Sequence, residues 1–354
     1  MRNEYFGQIE GNAVSRTYLD WNATTPLRPE ARAAMGAAMD AVGNPSSVHA
    51  EGRAARALIE RARAQVAAAV GCKPAEVIFT SGATEAAGVL AHFPTENGVW
   101  IDPTAHDCLW AHRRDGEPAV RGIGYANNET GIITEPEARE SGLLMLDIVQ
   151  AVGKVPFSFA WSGADMAVVS AHKFGGPKGV GALILRDGLD IPALQRGGGQ
   201  EMGRRAGTEN VIGIAGMGAA AEAAQRDLAD GVWERVAQLR EILNQALSAS
   251  GFETISVGNS ARTLPNTLCL IAPGWKGETQ VMVMDLAGFA ISAGSACSSG
   301  KVRASRVLRA MGYDETQAAE AIRISLGPTT TQDEVERFAE AWLREYRRIR
   351  ARMV

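Results

Sequence analysis

Apolar runs are short in this chain. None approaches the ~18 consecutive residues that a membrane-crossing helix needs, and stretches such as Gly142–Leu146 and Met166–Ser170 are only strand-sized. The first twenty residues lack the apolar segment of a secretory leader. Cysteine is scarce: Cys72, Cys108, Cys269 and Cys297 are the only four, and no two form a Cys-x-x-Cys pair. That excludes a disulfide framework and leaves reduced thiols, so a cytoplasmic location is expected. The five histidines are scattered without zinc-ligand spacing, and no metal is expected. Charge of one sign is also missing. With 36 basic and 40 acidic residues the net charge is −4, far from the basic excess of a nucleic-acid binder. No Gly-x-Gly-x-x-Gly sits at a strand–helix turn, since Arg196-Gly197-Gly198-Gly199 follows a loop. Neither a repeat nor a low-complexity linker is present.

What remains is an alternation of helix and strand. Ala55, Leu58, Ala62, Val66 and Ala69 recur at helical spacing and predict a helix over 53–70, closed by Gly71. Val77–Thr80 reads as a strand, and Ser81-Gly82-Ala83-Thr84 turns it into another helix. Three further strands are predicted: Leu143 to Asp147, Met166 to Ser170, and Gly179 to Leu185. Continuous apolar strands of this kind suit a mainly parallel sheet covered on both faces. Val232, Val236, Leu239, Leu243 and Leu247 predict a helix over 232–247, and another lies near 332–349. The basic end, Arg347 to Arg352, reads as a solvated helix terminus whose charge favours the helix dipole. The length predicts two domains: a larger one over 27–248, and a smaller one from 1–26 with 249–354.

Ligands of open α/β sheets gather at the carboxyl ends of strands, and Asp147, Ser170, His172 and Lys173 all fall there. Lys173 stands in Ser170-Ala171-His172-Lys173-Phe174-Gly175-Gly176-Pro177, between a strand end and a flexible turn. A lone lysine is ordinarily a surface cation, but one reaching into a crevice can form a Schiff base. Asp147 either caps a turn or meets a cation such as a protonated pyridine nitrogen. Ser81-Gly82-Ala83-Thr84 is either an ordinary cap or a phosphate cradle at a helix N-terminus. Three of the cysteines read as buried and inert. Cys297 differs, because Gly294, Ser295, Ala296, Ser298, Ser299 and Gly300 surround it with small residues, and Lys301 and Arg303 favour its thiolate.

Several of these segments, in order, match a known family. Tyr18-Leu19-Asp20-Trp21-Asn22-Ala23-Thr24-Thr25-Pro26, Thr80-Ser81-Gly82-Ala83-Thr84-Glu85, Asn127-Asn128-Glu129-Thr130-Gly131, Ser170 to Gly179, Gly294-Ser295-Ala296-Cys297-Ser298-Ser299 and Arg323-Ile324-Ser325-Leu326-Gly327 resemble the cysteine desulfurases. These are class V aminotransferase-like enzymes of pyridoxal-phosphate fold type I. The resemblance covers residues 17 to about 345 and implies an α/β fold: a large unit with a mainly parallel sheet between helices, and a smaller α+β unit. It implies pyridoxal 5'-phosphate as cofactor, joined to Lys173, with His106 stacked on its ring and shuttling protons. Asp147 is then the partner of the ring nitrogen, while Gln150 and Asn128 bond the phenolic oxygen. Ala83, Thr84, Ser170 and His172 hold the phosphate, and Thr208 reaches the phosphate of a partner subunit in a homodimer. Arg323, with Asn128, binds the carboxylate of L-cysteine. Cys297 accepts the sulfur as a persulfide, alanine leaves, and a sulfur-acceptor protein such as an iron–sulfur scaffold or a sulfur carrier is implied.

The chain also departs from the family. Only 22 positions separate His106 from Asn128, so a βα unit is expected to be trimmed or missing there, and His112 competes for the ring-stacking role. Ala86-Ala87-Gly88 replaces a more polar run. Rival readings are a selenocysteine lyase, a β-eliminating lyase, and a catalytically reduced relative that serves as a binding partner.

Overall fold

The computed structural model describes residues 16–94, 96–137, 141–249, 251–294 and 304–352. Its centre is a six-stranded sheet in the order Val77–Thr80, Gly181–Leu185, Met166–Ser170, Leu143–Asp147, Pro118–Gly124, Gly98–Ile101. The last four strands run parallel, and Gly181–Leu185 runs antiparallel to both its neighbours. The strand expected from Gly179 therefore starts two residues later, because Gly179 occupies the left-handed region in the turn (φ 78°). The four strands that carry apolar runs, the edge strand Val77–Thr80 and the three beside it, are buried apart from the partly covered Leu143, as a sheet covered on both faces requires.

Helices Pro29–Met39, Ala50–Val70 and Val211–Ala229 pack together beside this sheet. The Ala50–Val70 helix ends at Gly71 in the left-handed conformation, as expected. Its buried stripe, however, runs through Ile59 and Ala67, with Leu58 and Ala69 only partly covered. An Ala-rich helix carries no sharp apolar face, so a one-residue rotation cannot be read from spacing. The pattern assigns no helix to 211–229 for the same reason: this helix is Gly- and Ala-rich all round. It is needed at that composition, since a Cβ on Gly218 would sit 2.5 Å from Ala62 Cα on the neighbouring helix.

A second, antiparallel sheet runs in the order Ser292–Ala293, Ala321–Ser325, Thr267–Ile271, Ile255–Ser256. Thr17–Tyr18 pairs in parallel with Phe289–Ala290. Helices Val232–Ser248 and Gln332–Arg350 cover this part. Trp275, Trp342 and Tyr346 fill its core, and Trp275 and Tyr346 stack with ring centres 5.8 Å apart. Residues 232–248, grouped by sequence with the larger unit, give Trp233, Val236, Leu239, Leu243 and Leu247 to this second core. Trp233 takes the buried position expected for Val232, which is only partly covered. The basic end lies in the last turn of Gln332–Arg350.

The carboxyl ends of Val77–Thr80, Pro118–Gly124, Leu143–Asp147 and Met166–Ser170 share one edge of the large sheet. Gly181 begins the antiparallel strand at that same edge, opposite Thr80 and Ser170. A Cβ there would stand 2.5 Å from the Val169 carbonyl oxygen and 2.6 Å from Gly82 Cα. Both obstacles are backbone, so neither yields easily. Gly181→Ala is expected to cost about 2 kcal/mol through this overpacking and to displace the Gly82 turn. Urea unfolding of the variant beside wild type measures it.

Candidate active site

At that edge lies a cleft of about 750 Å³. Its floor is the sheet edge and its far wall is the segment Asn22, Ala23 and Thr24, which hydrogen bonds anchor to both units: Trp21 N–H to Ser325, Thr25 N–H to His172. Lys173 follows the strand Met166–Ser170 in a short 3-10 turn. Its Nζ donates to the carbonyl oxygens of Asn22 at 2.7 Å and Ala23 at 2.8 Å. The amine is thus aimed into the cleft and held by groups that cannot neutralise it.

Asp147 ends its strand inside the same cleft and is only 8% exposed. Its Oδ1 accepts from Val149 N–H at 3.0 Å, and Cys108 Sγ lies 3.8 Å from Oδ2. Burial pushes its carboxyl upward, opposed by the nearby His106 and Lys173. A buried carboxylate with such weak partners is costly unless a cation meets it. His106 caps the short helix Asp107–Trp110, its Nδ1 accepting from Cys108 N–H at 3.1 Å. His106 lines the cleft and His112 does not. The expected loss between His106 and Asn128 leaves a compact crossover: the helix Asp107–Trp110, then the strand Pro118–Gly124 in parallel register beside Gly98–Ile101.

Ser81, Gly82, Ala83 and Thr84 bring the N-terminus of the short helix Ala83–Ala87 to one end of the cleft, with Ser170, His172 and Lys178 beside them. A Cβ on Gly82 would meet nothing within 4 Å, which marks open space beside these backbone groups. His172 Nδ1 lies 3.1 Å from Thr24 Oγ1. Burial, then the charges of Lys173 and Lys178, pushes the imidazole down to about 4.

At the other end stands Arg323, on strand Ala321–Ser325 and 3% exposed. It donates to Asp20 Oδ1 at 2.7 Å and to the Asn128 carbonyl at 3.1 Å. Its buried Nε has no hydrogen-bond partner. Glu129 lies close by. Burial, opposed by its bond from Ser305 Oγ (2.5 Å) and by Arg323, pushes it up to about 7.

Ala83, Thr84, His106, Asn128, Asp147, Gln150, Ser170, His172, Lys173 and Arg323, all singled out in the sequence, line this one cleft. Thr208 does not. It lines a neighbouring depression with Arg205 and Glu201, on the outer side of Ser81 and Gly179. Cys297 lies outside the described residues, which resume at Ala304. Cys269 is buried as expected, while Cys72 is only partly covered; burial pushes both thiols upward, Cys72 to about 12. Cys108 is buried too, but it lies at the cleft floor against Asp147, not in a packed core alone. Sequence reasoning gave no role to Asn22 or Lys154. Asn22 sits inside the opening motif, and Lys154 is conspicuous in hindsight as a cation within Ala151-Val152-Gly153-Lys154-Val155-Pro156.

The residues present fit pyridoxal phosphate. The buried Asp147 carboxylate has no cation hydrogen-bonded to it among the described residues, a lysine amine projects into the space, and a helix N-terminus with open room offers N–H groups to an anion. His106, Cys108 and Asp147 bring ligand atoms within 4.8 Å of one another, but all three belong to this floor. No helix among the described residues is long and apolar enough to cross a membrane.

The mixed, mainly parallel sheet with a lysine-bearing cleft at its carboxyl edge defines an enzyme of fold type I. Residues 17–101 and 115–338 match Aminotransferase class-V, and the chain belongs to that family. The unmatched stretch between them falls on the compact crossover. A cysteine desulfurase of Cereibacter sphaeroides is 40% identical over 370 residues, covering 92% of this chain and 95% of the relative. One of Klebsiella pneumoniae is 38% identical, covering 91% of each. Among solved structures, a NifS-like protein superposes with a TM-score of 0.83 at 31% identity, covering 93% of this chain and 99% of that one. A NifS-like protein of Rickettsia africae gives 0.84 at 29% identity, covering 94% and 99%.

The neutral His172 has a consequence for stability. Its pKa lies near 6.5 in the unfolded chain and about 4 in the folded one. The unfolded state therefore takes up the proton first, and stability falls as pH drops through this window. His172→Asn should remove that share of the loss. Urea midpoints of both proteins between pH 7 and 4 are expected to converge as pH falls.

Proposed function

We propose that the protein is a pyridoxal-phosphate-dependent cysteine desulfurase that converts L-cysteine to L-alanine. The observation that carries this reading is the alignment of Asp147, Lys173 and Arg323 across one cleft, in a chain whose relatives bear that activity's name. Bound to Lys173, the cofactor would supply an aldehyde for the substrate amine and an electron sink for the carbanion. His106 would lie against its ring, Asp147 would meet the ring nitrogen, and Gln150 and Asn128 would face the phenolic oxygen. Ala83, Thr84, Ser170 and His172 would hold the phosphate. The low pKa of His172 keeps its ring an uncharged partner there at neutral pH.

The remaining work falls to the chain itself. Arg323, with its unpartnered Nε, would clamp the substrate carboxylate by a charge-assisted pair. Lys173 Nζ, aimed into the cleft by the Asn22 and Ala23 carbonyls, would take the α-proton. The Cys297 thiolate would attack the substrate sulfur. One S–S bond forms, the substrate C–S bond breaks, and its electron pair stays on carbon, which takes up protons as alanine. The sulfur remains on Cys297 as a persulfide for an acceptor, either an iron–sulfur scaffold or a carrier protein. We further infer a cytoplasmic homodimer in which Thr208, which does not line its own cleft, faces the partner's phosphate. A division into a larger unit and a smaller one also follows, with residues 232–248 placed in the smaller because they belong to its core.

The purified protein should be yellow and should bleach with borohydride. Lys173→Ala should yield neither alanine nor sulfide, and Cys297→Ser should keep the colour while losing nearly all sulfide release. Normal sulfide release by Cys297→Ser defeats the assignment of that thiol. Pyruvate and ammonia in place of alanine would make the enzyme a β-eliminating lyase. Arg323→Ala should raise KM at least about tenfold, the loss of one charge-assisted pair, in the same alanine assay.

A further inference from the structure

Beneath the cleft floor lies a second lysine. Lys154 is 2% exposed. Its Nζ donates to Gln150 Oε1 at 2.6 Å and to Asn22 Oδ1 at 3.3 Å, and no carboxylate pairs with it among the described residues. The Gln150 amide is thereby fixed in one orientation, because its Nε2 donates to the Asn22 carbonyl at 2.9 Å. That same carbonyl accepts from Lys173 Nζ at 2.7 Å. Asn22 is held from the other side as well: its Nδ2 donates to Thr267 Oγ1 at 2.8 Å, and Asn266 Nδ2 donates to its Oδ1 at 3.1 Å.

We propose that Lys154 is a positioning residue, which locks the Gln150 amide and the Asn22 side chain and through them sets the bonding of the Lys173 amine. The inference rests on the proposed function for the meaning of Gln150 but not for the network itself. The charged groups facing Lys154 are Lys173 and Arg323, both cations. With burial first, they push its amine well down. An uncharged amine keeps two N–H donors, the number its two acceptors require, and it avoids setting a second cation beneath Lys173. A charged lysine without a counter-ion would be far costlier at this depth. Without Lys154, the buried Gln150 oxygen loses its donor and the amide is free to turn. The donor it offers toward the cofactor's phenolic oxygen is then no longer fixed.

Two readouts test this. In the cofactor-free chain, the unfolded state protonates Lys154 below about pH 10.4 while the folded state does not. Wild-type stability should therefore fall from pH 10.5 toward 7 relative to Lys154→Met, measured by urea midpoint. A constant difference would mean that the amine stays charged and would overturn the inference. In the cofactor-loaded protein, a weakened donor to the phenolic oxygen lets the Lys173 nitrogen keep its proton to higher pH. Lys154→Met should move the pH midpoint of the cofactor's absorption up by about one unit. Gln150→Met should produce a similar move, and the double variant should move it no further than Gln150→Met alone. Additive shifts, or no shift for Lys154→Met, defeat the positioning role. Should Lys154→Met not fold, the side-chain nitrogen signal of Lys154 in labelled wild type decides: an uncharged amine at pH 7 supports the inference and a charged one overturns it. Failure to take up pyridoxal phosphate would sink the proposed function, while the stability readout would still judge Lys154.

Discussion

The site depends on one arrangement: a lysine amine suspended over the carboxyl edge of a sheet by two main-chain carbonyls. Hydrogen bonds to a charged group contribute roughly 1.5–3 kcal/mol each, so the Asn22 and Ala23 oxygens fix where Lys173 points without cancelling its charge. Those carbonyls come from a segment bonded both to the turn after Met166–Ser170 and to the second sheet. Its placement requires the second sheet, because Asn22 N–H bonds Ser325 Oγ and Trp21 N–H bonds the Ser325 carbonyl. The chemistry at the edge of one sheet is therefore aligned by the other.

Electrostatics divide the cleft into two ends. At the anion-binding end, a helix N-terminus and an uncharged His172 leave room and N–H groups for a phosphate. At the other end, Arg323 spends only part of its fork on Asp20 and Asn128, and a carboxylate can claim the remainder. Between them, Asp147 lies buried, its carboxyl pushed up by burial and opposed by His106 and Lys173. Each group alone is unremarkable in kind. Their separation along one crevice is what suits it, on the proposed reading, to an amino-acid substrate bound to a phosphorylated ring.

Close packing supports this edge from behind. Gly181 brings its strand against Gly82, and Gly327 lies where any Cβ would overlap the Trp21 ring at 1.9 Å. Both glycines stand where the walls of the cleft are fastened to the sheets. Lys154 adds a buried polar link in the same region. Such networks carry a large penalty when one member is lost, which ties the stability of the floor to the geometry of the amine above it.

Strand identity was legible in the chain because these apolar runs are strand-sized and bounded by turn residues, and Val77–Thr80, Leu143–Asp147 and Met166–Ser170 lie where the runs put them. The functional motifs were legible too, since Lys173, Asp147 and Arg323 each occupy a strand or turn whose neighbours announce it. The rotation of the Ala-rich helices was not: Ile59 and Ala67 face the core and Gly218 lies against Ala62, but a helix without a sharp apolar stripe cannot state its own rotation. Nor could spacing show that Trp233 packs with the second core, or that Thr208 lines a neighbouring depression and not the cleft. Lys154 and Asn22 are the clearest case. A lysine in an apolar run reads as a surface cation until the fold brings it an amide, an asparagine and no carboxylate, for burial and partnership are properties of the assembled chain, while residue type and order belong to the sequence alone.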